Sequence, residues 1–429
     1  MNLCLFNEPA LKKPGSLKSK NSKHLTFSFT CFLGVVQIMK KIIALAISAA
    51  FTAPAAFADV ELGPFSIYGT AATAVEIISV DNNTGKPLLP TKDSQTRLMD
   101  QSSKLGFKAK YDLGDDFFAL AQVESRFYLG NNGDNTDDKA EIGSRNTFVG
   151  IGSKQAGTLR LGRYDNAYKL SLKQIVPTLY GNLNEASATY GSKQILNRLG
   201  GRQGDMIAYE SPDLMGFSGN LSYNFGKDST NSISAGSAGA PSNTVATDLM
   251  GQTAIGIAYK HSMFNVGFGY TTISNAAWKL DGSSGASAKN LAGSQKLDAY
   301  QFGGQVNYMD FSAGAIFERT SSSLSGLTAG NFDQHQNVFG LIGGYKKDAL
   351  EIQVQYAKAS DVDGSTLADT GGQQASISVG YNLHKYVQAV ASFTKVDNDR
   401  NANFTSASGF GLDKGNGMSQ FALGLVGKF

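Results

Sequence analysis

From about residue 63 onward the side chains change character at every second position, in segments of about 9 to 12 residues. Phe217, Gly219, Leu221, Tyr223 and Phe225 alternate with Ser218, Asn220, Ser222 and Asn224. Tyr300, Phe302, Val306 and Tyr308 interleave with Gln301, Gly303, Gln305 and Asn307. Ile352, Val354 and Tyr356 alternate with Glu351, Gln353 and Gln355, and Ala375, Ile377, Val379, Tyr381 and Leu383 with Ser376, Ser378, Gly380 and Asn382. A period of two places one set on each face of an extended strand and does not fit a helix. The chain has no run of 18 uncharged apolar residues beyond its N-terminal region, which excludes a bundle of membrane-crossing helices. With 17 Tyr and 26 Phe it is too aromatic for a disordered chain. Charged residues make up 17%, below the roughly 25% of a soluble domain.

A soluble sandwich would alternate too, so the period alone does not decide. The segments exceed the usual strand of about 5 to 6 residues but suit a tilted crossing of a bilayer. Tight turns such as Asp310-Phe311 alternate with long Gly-, Ser- and Asn-rich connections such as 226–250 and 277–296. Aromatic residues gather near segment ends, where interfacial girdles belong. The fold class expected is all-β, an antiparallel transmembrane barrel of sixteen strands. These fall near 63–78, 102–112, 117–128, 145–152, 158–164, 203–211, 216–225, 251–261, 264–275, 297–309, 312–321, 337–346, 350–359, 374–384, 387–396 and 418–429. Closure leaves no unpaired edge in lipid, where each unsatisfied amide costs several kcal/mol.

The N-terminal region has its own grammar. Met39-Lys40-Lys41 opens a positive stretch, Ile42 to Ala50 is apolar, and Ala56-Phe57-Ala58 places small residues at a cleavage site before Asp59. Residues 39–58 read as a signal peptide and 1–38 as a mis-annotated N-terminal extension, leaving 59–429 as the barrel domain. Both cysteines, Cys4 and Cys31, fall in the removed part. The formal charge of +3 depends on that part as well. Seven Lys and one Glu lie before Asp59, so 31 basic and 34 acidic residues remain, a charge near −3. No nucleic-acid partner is expected from such a balance.

Several motifs then fall in a telling order. Ser66-Ile67-Tyr68-Gly69 opens the first strand; Lys104-Leu105-Gly106-Phe107-Lys108 runs on to Asp112-Leu113-Gly114; Gln122-Val123-Glu124-Ser125 follows. Next come Arg145-Asn146-Thr147-Phe148-Val149-Gly150-Ile151, Gly157-Thr158-Leu159-Arg160-Leu161-Gly162-Arg163 and Met206-Ile207-Ala208-Tyr209-Glu210-Ser211-Pro212, with Phe429 at the end. Together they resemble the general porins of Gram-negative bacteria, of the Neisseria- and Burkholderia-type trimeric branch. The resemblance implies a homotrimeric diffusion channel in the outer membrane with its third loop folded into the lumen. It also implies that the terminal Phe on an amphipathic strand acts as a barrel-insertion signal.

Sixteen strands about 4.8 Å apart and tilted about 45° enclose roughly 35 Å between backbones, and about 20 Å once side chains are subtracted. A sieve needs an obstruction in such a hole. The stretch 165–201, with Ile175, Val176, Pro177, Leu179 and Tyr180, is the natural candidate. Selectivity is expected from charges at that waist. Leu105, Phe107, Ala109 and Tyr111 face lipid, so Lys104, Lys108 and Lys110 face water; Gln122, Glu124 and Arg126 point inward by the same rule. Arg160 and Arg202 also read as inward. Arg163 matches the family's basic wall although alternation puts it with Leu161, and Arg145 poses the same conflict. Against this wall the loop offers only Asp165 and Glu185, beside Lys169, Lys173, Lys193 and Arg198. The balance predicts a weak anion preference.

Other chemistry finds little footing. His261, His335 and His384 lie far apart with no metal-ligand spacing, and no Ser-centred catalytic pattern is present. No cofactor and no enzyme activity are expected. Asp134, Asp137, Asp138 and Glu141 read as a solvated acidic loop, because their spacing does not match a calcium loop. Gly150, Gly152 and Gly157 lack the Lys-Ser/Thr of a phosphate loop. The expected partners are the outer-membrane lipid and lipopolysaccharide, sister subunits, and small hydrophilic solutes and ions. A substrate-specific channel, or an adhesive or structural surface barrel, is the alternative to a general pore.

Overall fold

The structure is a computed structural model, and it describes residues 60–62, 64–82, 94–130, 142–180, 195–225, 251–274, 280, 294–325, 331–406 and 410–429. The leader and extension proposed at 1–58, the acidic loop 131–141, Glu185 and Lys193 lie outside the described residues.

The strands are β1 Val60–Leu62, β2 Phe65–Asp81, β3 Ser94–Asp100, β4 Lys104–Gly114, β5 Phe117–Arg126, β6 Thr147–Ser153, β7 Gly157–Asp165, β8 Arg202–Glu210 and β9 Phe217–Asn224. They continue as β10 Gln252–Lys260, β11 Phe264–Ser274, β12 Ser294–Tyr308, β13 Phe311–Ser325, β14 Phe332–Lys347, β15 Leu350–Ala359, β16 Gly372–His384, β17 Val387–Asn398 and β18 Gly417–Lys428. A helix, α1 Ala167–Ile175, follows β7 and leads into a 3-10 turn, Pro177–Tyr180. From β4 to β18 each strand pairs antiparallel with the next, and β18 returns to β2 from Gly417↔Asp81 to Lys428↔Thr70. The sheet is closed. At this seam Phe429 exchanges backbone hydrogen bonds with Gly69, and its ring lies where a Gly69 Cβ would stand.

β3 and β4 share one place in the wall. β3 pairs with Thr73–Ser79 of β2 and β4 with Phe65–Thr70, so the two are a single strand broken at 101–103, and the barrel has sixteen strand positions. The break is built, not frayed: Ser102 has φ 66°, Asp100 accepts the Ser103 amide at 3.2 Å, and Ser103 Oγ donates to the Ala72 carbonyl at 3.1 Å. The expected second strand, 102–112, covers only its lower half. β12, β13 and β14 also outrun expectation, at 15, 15 and 16 residues. Most of their extra length is polar on both faces, as where Ser321 and Ser322 pair with His335 and Gln334, so alternation is weak there.

Burial sorts the two faces. Phe107, Val149, Leu161, Leu221, Ile257, Phe302, Val306 and Leu341 stay exposed on the outer face although they are large and apolar. Gln301, Gln305, Gln353, Gln355, Ser378 and Thr394 are buried on the inner one. That inversion of the soluble pattern is the mark of a barrel with lipid outside and polar groups inside. Ring pairs sit close to the short turns: Phe65 with Tyr111, Phe217 with Tyr259, and Phe311 with Tyr345. Among the described residues no helix is long and apolar enough to cross a membrane.

Candidate functional site

Inward positions of β4, β5, β7 and β8 build a basic wall. Lys104 faces Arg126 in register. Lys108 Nζ lies 4.1 Å from the Tyr68 ring centre and Lys110 Nζ 4.1 Å from that of Phe118. Arg126 reaches Asp100 at 3.6 Å and stacks over Tyr128. Arg160 lies against the rings of Phe148 and Tyr164, which themselves meet edge to face, and pairs with Glu210 at 3.0 Å; Tyr164 Oη donates to the same carboxylate at 2.7 Å.

The two arginines with conflicting alternation resolve differently. Arg145 precedes β6 and turns inward, bonding Glu124 at 2.7 Å beside the Tyr68 hydroxyl. Arg163 keeps the face of Leu161, and its Nε donates to the Ser144 carbonyl at 3.1 Å. A bulge lies opposite it, where Gly204 and Asp205 (φ 45°) match one residue of β7. The bulge shifts parity on β8, so Met206, Ala208 and Glu210 on one side of it and Gln203 on the other all turn inward.

Asp165 does not oppose this wall. It is 5% exposed and held between Lys169 Nζ at 2.9 Å and Arg202 Nη2 at 3.2 Å, while Arg202 Nε donates to Asn146 Oδ1 at 2.6 Å. Burial pulls the Lys169 ammonium below the ordinary lysine range, and the Asp165 charge pulls it back. These cations are consumed in fixing the root of the third connection, whereas Lys108 and Lys110 are matched with ring faces.

The connection after β7 begins at Asn166, whose Oδ1 caps α1 by accepting the Lys169 amide at 2.9 Å. Ala167, Tyr168, Ser171, Leu172 and Ile175 are buried, at helical spacing. They meet inward positions of the sheet. Gln301 Nε2 donates to the Tyr168 carbonyl at 2.7 Å and to Ser171 Oγ at 2.9 Å. Thr178 N donates to Gln305 Oε1 at 3.0 Å, and the Thr178 carbonyl accepts from Gln353 Nε2. Glu318 of β13, fully buried, accepts both the Tyr168 hydroxyl at 2.8 Å and the Asn197 amide at 2.7 Å on one oxygen.

Glycines make room for this segment. An added Cβ at Gly256 would stand 2.6 Å from Ser171 Cβ, at Gly267 2.9 Å from Ile175, and at Gly340 2.8 Å from Leu196. All three occupy inward positions. Sequence reasoning missed α1, Glu318 and these notches. The signal for the notches is a glycine on the polar phase of a strand, where a side chain has no steric reason to be missing.

Among the described residues no group of three or more His, Cys, Asp or Glu side chains could hold a metal ion.

The profile of the Gram-negative porin family matches residues 44–401. The chain belongs to that family. This porin is 31% identical over 206 residues to the major outer membrane protein P.IB of Neisseria meningitidis, covering 46% of this chain and 54% of that one. The chain thus spans about half the length of the curated relatives it matches. Among solved structures, the anion-selective porin from Comamonas acidovorans superposes with a TM-score of 0.63 at 18% identity, over 85% of this chain and 99% of that one. The trimer form of Vibrio cholerae OmpT superposes with 0.57 at 13% identity, over 86% and 100%. These likenesses share the fold. The porin is a protein of the Gram-negative outer membrane.

Proposed function

We propose that this porin is a water-filled channel for passive diffusion of ions and small hydrophilic solutes, with a weak preference for anions. The observation that carries the reading is the division of the inner face. One side is covered by α1 and the turn after it; the other carries Lys104, Lys108, Lys110, Arg126, Arg145 and Arg160, with Arg202 spent on Asp165. The third connection is the obstruction, folded inward from Asp165 and held to the wall through Glu318. With Asp165 neutralised at its root, the connection sets no acid against the basic wall among its described residues, which supports anion preference over a balanced transverse field. Export through the signal peptide 39–58, assembly as a homotrimer, and contact with lipopolysaccharide complete the proposal.

Reconstitution in a planar bilayer tests it. The expected record is a stepwise conductance with closures in threes and a reversal potential displaced toward anions under a salt gradient. A preparation that inserts and carries no current would sink the channel, and a cation-directed potential would sink the preference.

The cation-on-ring pairs of Lys108 with Tyr68, Lys110 with Phe118 and Arg160 with Tyr164 favour a second reading, a channel specific for anionic solutes. Saturable flux and a conductance blocked by the solute distinguish it from a general pore.

A further inference from the structure

The connection between β17 and β18 uses the inner face in the same way as the third one. Asn398 folds it back: its Nδ2 donates to the carbonyls of Phe404 and Asn416, both at 2.8 Å, and its Oδ1 accepts the Phe404 amide at 2.7 Å. Phe404 is 1% exposed. Beneath it lies Gly372, an inward position of β16, where an added Cβ would stand 2.8 Å from the Phe404 ring. Ser406 Oγ donates to Gln420 Oε1 at 2.8 Å, and Thr405 Oγ1 reaches Met418 Sδ at 3.2 Å. Phe410 and Leu412 join Ile78 of β2, Val396 of β17 and Met418 of β18 in one apolar cluster, all three on inward positions. That cluster also holds Leu172, Ile175, Val176, Ile195 and Leu196 of the third connection.

We propose that residues 399–406 and 410–416 form a second constriction, braced to the third connection through this shared cluster, that narrows the channel by bulk and not by charge. The inference rests on the channel reading. A segment that merely roofed the barrel would have no use for inward residues of three strands and a glycine notch in a fourth. Two of the four charged residues in 399–416, Asp399 and Asp413, are acidic and two, Arg400 and Lys414, are basic, so they cancel. Ile78, Val396 and Met418 would be odd linings for open water. They are explained as a dry seat for Phe404, Phe410 and Leu412.

The test replaces 401–414 by Gly-Gly in the full chain and compares single-channel conductance, exclusion of graded neutral polyethylene glycols, and reversal potential with the parent. A conductance rise of roughly 1.5-fold or more is expected, since current follows open cross-section. Larger polymers should enter while the reversal potential stays put. Where the deletion fails to assemble, the double substitution Phe404→Ala with Phe410→Ala decides, with a smaller rise in conductance and polymer admission expected. Parent conductance and parent size cut-off in either variant overturn the proposal. So does a shifted reversal potential with an unchanged cut-off. Absence of current in the parent itself strikes the channel reading instead.

Discussion

Glu318→Ala should unfasten the third connection. The carboxylate holds both ends of the segment at once, through Tyr168 at its start and Asn197 at its return, and both donors are buried. Leaving a buried donor without an acceptor costs about 1–3 kcal/mol, and removing one partner of a buried charged group about 3–5 kcal/mol. Taking about 3–4 kcal/mol for the whole loss, and 1.4 kcal/mol per tenfold, released conformers should gain by roughly 100- to 1,000-fold. In single-channel recordings this appears as flicker between conductance levels and closure at lower voltage. Glu318→Gln, which keeps an acceptor oxygen, should restore most of the quiet behaviour, and Tyr168→Phe, which loses one bond of two, should fall between. Parent-like step size, noise and closing voltage in Glu318→Ala would refute the idea that this residue holds the segment.

Gly256→Val puts a side chain against Ser171 and the Ala167 carbonyl; overpacking of about 1–3 kcal/mol should push α1 toward the basic wall, lowering conductance and size cut-off in polymer-exclusion assays. Lys108→Glu combined with Lys110→Glu should move the reversal potential toward cations with step size little changed, because these two cations are matched with rings and not consumed by structural carboxylates. Burial first, and then the charges of Asp361 and Asp369, raise the Asp399 carboxyl above the ordinary aspartate range. The folded state therefore keeps its proton longer than the unfolded chain, so stability falls as pH rises from the ordinary aspartate value through the raised one. Asp399→Asn should raise the melting temperature of the detergent-solubilised protein at neutral pH and change nothing near about pH 3, where both states are protonated.

Alternation in the sequence was enough to place the outer faces of β4, β9, β12 and β16, since a closed sheet between lipid and water leaves each position only two choices. The inward set Lys104, Lys108, Lys110, Gln122, Glu124 and Arg126 follows from that choice. Arg163 obeys the alternation and keeps the face of Leu161, against the motif that set it in the basic wall, whereas Arg145 escapes it because it lies in the turn before β6, where no period applies. Glu318 resisted for a different reason: its partners Tyr168 and Asn197 are 150 and 121 residues away. The helix left a trace that went unused, a capping Asn166 followed by apolar residues at Ala167, Tyr168, Leu172 and Ile175. Its length is too short to stand alone in water, and it persists because the wall supplies the missing contacts.

The seam between β18 and β2 has a consequence for how such a chain comes together. The strands that meet there, Gly417–Lys428 and Phe65–Asp81, are separated by nearly the whole described sequence, and Phe429 locks onto Gly69 at their lower end. Until that last zip closes, the growing wall carries two bare rims, each ready to recruit a stranger's strand. Synthesis from one end can lay down every hairpin in turn, yet none of them can finish the ring. Of all the pairings in the wall, the one between its first strand and its last spans the greatest length of chain.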